Sequence, residues 1–150
     1  MAVSPSGRSL VSASFDRSVR KWNIRDGSSK VLPVIGSPGI FTSVAFSPDG
    51  WYVAVGNYDE SLWIWESRTH RLVAKWSGHT NSVSCIEFTP DGKGLLSGGL
   101  DKAVKYWDVS LLGNRRGSGV PARTIEGCPE VRRFLGHIVR YFLILSCDVD

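Results

Sequence analysis

Long apolar runs are scarce in this 150-residue chain. The stretch Ile138 to Leu145 is eight residues, broken by Arg140. A membrane-crossing helix needs roughly 20, so no membrane association is expected. No signal peptide is visible at the N-terminus. Cysteine is sparse too: Cys85, Cys128 and Cys147 share no paired spacing, which implies neither a disulfide frame nor a zinc site and predicts a reducing compartment. Cys85 reads as a small apolar strand residue. Charge is nearly balanced, with a net +4. Residues 1–110 carry 12 Lys and Arg against 10 acids, and residues 111–150 carry 6 Arg against 4 acids. The pairs Arg115-Arg116 and Arg132-Arg133 read as solvated loop residues, so no base-specific nucleic-acid contact is expected. No run of five basic residues marks nuclear import. His70, His79 and His137 are scattered, no glycine loop could cradle a phosphate, and no carboxylate pair stands out. These absences argue against an enzyme, a cofactor, a metal site or a small-molecule substrate.

What is present is repetition. Gly78 to Asp108 opens on Gly78-His79, alternates like a strand from Val83 to Phe88, turns at Thr89-Pro90-Asp91-Gly92 and closes on Asp101 and then Trp107-Asp108. Two copies precede it. Pro5, Pro48 and Pro90 are spaced by 43 and 42 residues, as are Asp16, Asp59 and Asp101, and Trp22, Trp65 and Trp107. Residues 4–7, 47–50 and 89–92 are turn formers, proline fixing φ and glycine accepting positive φ. They join strands. Second strands are expected at Ser9–Phe15, Trp51–Tyr58 and Gly94–Leu100, and third strands at Val19–Asn23, Leu62–Glu66 and Val104–Asp108. Outer strands are expected at Lys30–Ile35 and Arg71–Ser77.

The period, the Gly-His start and the Trp-Asp end resemble the WD-repeat family, whose units are four-stranded propeller blades. The resemblance implies an all-β, incomplete WD-repeat β-propeller of about three antiparallel blades plus the start of a fourth, from a ring of seven. In the third copy it implies a hydrogen-bonded chain from His79 through Ser97 and Asp101 to the indole of Trp107. Burial requires that pairing, since each unpaired buried polar group costs about 1–3 kcal/mol. Those residue types could also build an activated nucleophile, but Ser97 is expected to face the strand interior. The first copy has Ser12, Asp16 and Trp22, with its histidine position before residue 1. The second has Ser37 for histidine and Val55 for serine, and keeps Asp59 and Trp65. It should rest more on apolar packing of Val53, Val55, Leu62 and Ile64, and its amides should exchange faster than those of the third copy.

The blades divide as 1–36, 37–78 and 79–136, with 137–150 as an aberrant fourth start. The first lacks its beginning, so the chain reads as a fragment whose terminal sheets would be uncovered. The second is unusually aromatic. Trp63 stands where the other copies have Arg20 and Lys105, and burial against an adjacent blade is its expected role. The third carries an inserted loop at about 111–127, and its outer strand is expected near Glu130–Leu135. No Pro-Asp-Gly turn follows Gly136-His137, and the apolar tail is an association hazard.

The missing second histidine, the insertion after Trp107-Asp108 and the wording of residues 97–107 are similar to the propeller of the fungal Tup-type general transcriptional corepressor, related in role to Groucho. That resemblance implies a nuclear protein-binding platform. Its partners would be DNA-bound repressors, an adaptor with tetratricopeptide repeats, and histones or deacetylases. Docking is expected at the top rim, on Phe15, Ile40, Tyr58, Ser82 and Leu100. The alternatives are a substrate receptor or assembly scaffold in ubiquitin ligation or signalling, or a truncated product without activity of its own.

Overall fold

A computed structural model describes residues 1–34, 36, 39–110, 112 and 123–125. Cys128, Cys147, both arginine pairs, residues 130–135 and the fourth copy from Gly136 lie outside them. Among the described residues twelve strands form three four-stranded antiparallel sheets, each in simple sequence order. The first contains β1 (Ala2–Val3), β2 (Ser9–Ala13), β3 (Val19–Asn23) and β4 (Ser29–Val31). The second contains β5 (Phe41–Phe46), β6 (Tyr52–Asn57), β7 (Ser61–Glu66) and β8 (Leu72–Ser77). The third contains β9 (Val83–Phe88), β10 (Gly94–Gly99), β11 (Val104–Asp108) and β12 (Arg123–Ile125). These are three propeller blades.

Short turns set this order. Gly7, Gly50 and Gly92 adopt φ of 67°, 74° and 70°, and each donates its N–H to the residue that opens its turn, Ser4, Ser47 or Thr89, at 2.8–2.9 Å. The same turn in each copy therefore returns the inner strand on the second strand. At the other end Arg17, Glu60 and Lys102, each following the recurrent aspartate, adopt φ of 61–71°. The Asp side chain holds that conformation by accepting a backbone N–H two residues on: Ser18 at 2.9 Å, Ser61 at 3.1 Å and Ala103 at 3.2 Å. Second strands consequently stop two, one and one residues before the expected Phe15, Tyr58 and Leu100.

The outer strands are the least legible. Blade one's is Ser29–Val31, not Lys30–Ile35, because its register is set by Arg20 opposite Val31 and Trp22 opposite Ser29. Blade three's falls at Arg123–Ile125, inside the stretch 111–127 expected to be a loop and ahead of 130–135. Pairing of Val104 with Ile125 and Tyr106 with Arg123 decides it, and counting back from Gly136 could not.

The core lies between the blades. Val11, Val19 and Leu32 of blade one bury against Phe41, Val53, Val55, Trp63 and Trp65 of blade two. Trp63 stacks on Trp65 with centroids 5.8 Å apart, and Phe41 meets Trp63 edge-on at 6.0 Å. Ala54, Leu62, Ile64 and Trp76 of blade two bury against Val83, Ile86, Phe88, Leu95, Trp107 and Val109 of blade three. There Trp76 and Trp107 stack at 5.6 Å. Alternation thus sends Val53, Val55, Trp63 and Trp65 to one neighbour and Ala54, Leu62 and Ile64 to the other. Inner strands approach closely as well. A Cβ on Gly56 would stand 2.8 Å from Val83 Cγ1, so only glycine fits, and the Thr42 hydroxyl beside it reaches the Val83 carbonyl.

Candidate interaction surface

The polar chain of blade three is continuous. The Trp107 indole N–H donates to Ser97 Oγ at 2.8 Å. Ser97 Oγ lies 2.7 Å from His79 Nε2, and His79 Nδ1 lies 2.8 Å from Asp101 Oδ2. A carboxylate can only accept, so Nδ1 carries the proton, Nε2 accepts, and the Ser97 hydroxyl donates. Thr80 N–H adds a bond of 3.0 Å to the same carboxylate oxygen. Burial lowers the His79 pKa, and Asp101 only partly opposes it. A charged imidazole would point a second donor at Ser97, which already accepts from Trp107. Although burial alone would raise Asp101, the Thr80 N–H and His79 hold its carboxyl below the usual range. Gly99 makes room, since a Cβ there would lie 2.5 Å from Asp101 Oδ1 and 2.6 Å from His79 Nδ1. Ser97 is fully buried, so its hydroxyl is held away from solvent.

Blades one and two solve the same problem differently. In blade one, Trp22 donates to Ser12 at 2.9 Å, while Asp16 stays in its own turn. In blade two, Asp59 and Trp65 are not joined. Val55 offers no acceptor, so the Trp65 indole crosses the blade interface to the Pro33 carbonyl at 2.8 Å. A second chain forms instead: Ser61 Oγ donates to Asp59 and accepts from the Trp63 indole at 2.7 Å. Burial of Trp63 against a neighbouring blade was expected, whereas Ser61 and its bond to the Trp63 indole were not. The available signal was an Asp-x-Ser-x-Trp spacing, which places the serine and tryptophan on one side of β7. Trp63 is buried against blade one, and Lys75 from β8 supplies a cation 4.6 Å over its ring while lying 3.6 Å from Asp59.

The aspartate turns carry three apolar side chains at one repeat position, and all three are exposed: Phe15 at 76%, Tyr58 at 61% and Leu100 at 60%. The backbone N–H of Tyr58 bonds the Ile40 carbonyl, and that of Leu100 bonds the Ser82 carbonyl, both at 2.8 Å. These bonds tie the turn to the loop entering the inner strand, so both loops form one rim. Ile40 is half-buried. Ser82 is only 4% exposed, so its side chain is no docking element; its carbonyl positions Leu100. Among the described residues no cluster of His, Cys, Asp and Glu could hold a metal ion.

Repeated four-stranded sheets packed face to face define an all-β propeller, a class whose members are generally scaffolds for other proteins and generally not enzymes. The chain belongs to the family described as WD domain, G-beta repeat, which matches residues 1–23, 30–66 and 70–108. It is 36% identical over 94 residues to WD repeat-containing protein 18 of Danio rerio, covering 63% of this chain and 21% of that protein. It is 30% identical over 107 residues to Protein groucho of Drosophila melanogaster, covering 70% and 14%. With Pre-mRNA-processing factor 19 homolog 2 of Arabidopsis thaliana it shares 31% over 115 residues, covering 76% and 22%. The chain thus spans less than a quarter of the length of these curated relatives. The solved structure of U3-55K superposes with a TM-score of 0.73 at 29% identity, over 83% of this chain and 38% of that one.

Proposed function

We propose that this WD-repeat scaffold serves transcriptional repression in the nucleus, docking DNA-bound repressors and chromatin factors through the rim that bears Phe15, Ile40, Tyr58 and Leu100. One observation carries the reading: three adjacent blades expose an apolar side chain at the same corner. Exposed apolar groups gathered at one end of a molecule mark a binding surface, and an aromatic among them supplies most of the contact energy. Similarity to Protein groucho supports the repression pathway. Similarity of equal strength to a pre-mRNA-processing factor supports the second reading, an assembly scaffold in another pathway.

Replacing Tyr58 with Ala in the complete protein is expected to weaken repressor binding about tenfold or more with unchanged thermal unfolding. Titration calorimetry against a repressor fragment checks this. Unchanged affinity removes Tyr58 from the surface, and binding confined to splicing or ligase partners removes the repression reading.

A further inference from the structure

The opposite end of blades one and two has a different chemistry. Antiparallel order places the turns after β1, β3, β5 and β7 at the end away from Phe15, Tyr58 and Leu100. There a cleft of about 740 Å³ is lined by Arg8, Lys21, Arg25, Lys30 and His70. A second, of about 320 Å³, is lined by Lys21, Arg68 and Trp51 and shares Ser9 and Lys21 with the first. The two clefts adjoin at Ser9 and Lys21, beside the interface of blades one and two. Trp51 is 57% exposed at their border.

The cations here, Arg8, Lys21, Arg25, Lys30 and Arg68, outnumber the acids beside them, Asp26, Asp49 and Glu66. The two ion pairs among the described residues are those of Lys75 with Asp59 and His79 with Asp101, so Arg8, Arg25, Lys30 and Arg68 have no carboxylate partner among them. The acids keep their charge, and Asp49 lines the second cleft, but their oxygens are turned to local donors. Asp49 accepts the Trp51 N–H at 2.9 Å and the Ser47 hydroxyl at 2.5 Å. Asp26 accepts from Ser28 at 2.6–2.8 Å and from Asn23 at 3.0 Å, and Glu66 accepts from Thr69 at 2.7 Å. Lys21 is anchored, its ammonium donating to the Ser67 carbonyl at 2.7 Å and to the Ser67 hydroxyl at 3.0 Å. The His70 pKa is lowered by burial first and then by the charges of Lys21 and Lys30, the same cations that line the cleft.

We infer that these adjoining clefts bind single-stranded nucleic acid, its phosphates along Arg8, Arg25, Lys30 and Arg68 and a base stacked on Trp51, without reading base identity. Cations in a groove suit any polyanion. An accessible indole at the border of the groove favours bases, because every base has a flat face to lay on it. An acidic or phosphorylated peptide would use the cations and leave Trp51 idle. This site lies away from the apolar rim and stands or falls separately from it.

The test is fluorescence anisotropy of the full chain with a labelled oligouridylate, over a series of salt concentrations. Binding is expected, with log K falling against log salt by about 0.7 for each phosphate contact. Trp51→Ala should weaken it about tenfold while Trp51→Phe retains it. Arg8→Gln with Lys30→Gln should flatten the salt slope by about 1.4. Arg17→Gln with Lys102→Gln, at the other end, should change nothing. Circular dichroism melts confirm that each variant is folded. Absence of binding at low salt overturns the proposal, as does an equal loss from the Arg17 and Lys102 pair. So does tighter binding of a phosphoserine peptide of equal charge that is indifferent to Trp51→Ala.

Discussion

Blades two and three share a repeat and a sheet topology, yet they secure their tryptophans in opposite ways. Blade three closes its polar chain inside one sheet, from His79 and Asp101 to Ser97 and Trp107. Blade two turns the equivalent indole outward, from Trp65 to Pro33 of its neighbour. A single change of residue type, serine to valine at position 55, accounts for the divergence. It removes the internal acceptor, and a buried indole N–H must find another. The lesson concerns the recurrent tryptophan: blade three fastens Trp107 from within its own sheet, blade two fastens Trp65 through its neighbour and keeps its internal polar bonds for Trp63.

The largest break of that contrast is Ser97→Ala. It leaves the Trp107 N–H and His79 Nε2 buried without partners, at about 1–3 kcal/mol each. Urea unfolding should show about 3 kcal/mol of lost stability, and a loss below 1 kcal/mol would mean the chain is ornamental. Lys21→Met attacks the fastening between blades one and two by removing the bonds to Ser67. The ammonium is half-buried and still partly screened by solvent, so about 1 kcal/mol is expected; a variant as stable as the parent would show that the tie contributes nothing.

Acid should affect the blades unequally. The His79 pKa is lowered in the folded state, so the unfolded chain binds the proton more readily. The stabilisation is complete above the ordinary histidine value of about 6.5 and is lost as pH falls through the lower folded value. Asp101, also lowered, adds a further loss below its ordinary carboxylate range. Amide exchange corrected for intrinsic rate should therefore show β10 and β11 opening more readily as pH drops from 7 to 5, with β6 and β7 changing less. His79→Gln should abolish the first part of the difference; a persisting slope would assign it elsewhere. The smallest effect is at neutral pH, where β6 amides are expected to exchange faster than those of β10, since β6 carries no internal polar chain. Equal protection removes the contrast in local stability.

Much of the fold was legible because the repeat states its own period. Each proline turn, aspartate turn and tryptophan recurs in register, and alternation within β9 and β11 marks two faces. The outer strands were not legible, since a three-residue edge such as Ser29–Val31 or Arg123–Ile125 carries too little pattern of its own and is defined by its partner. Residue types for the buried chain of blade three, and the burial of Trp63, could be read from position in the repeat; the Asp59–Ser61–Trp63 bonds were carried only by an Asp-x-Ser-x-Trp spacing that the other two copies do not share. Ser82 shows the same limit: its position in the loop suited a rim, but its side chain is turned inward and only its carbonyl serves Leu100.

By itself the sequence determined the number of copies, the turn chemistry and the two-faced strands, all local properties of φ and of alternation. Tertiary structure decided which acceptor each indole found, which aromatics were covered and which stayed exposed, and how the bases of two blades gathered into one cleft. Those outcomes depend on distances between residues far apart in the chain, and only the packing of one blade on the next sets them.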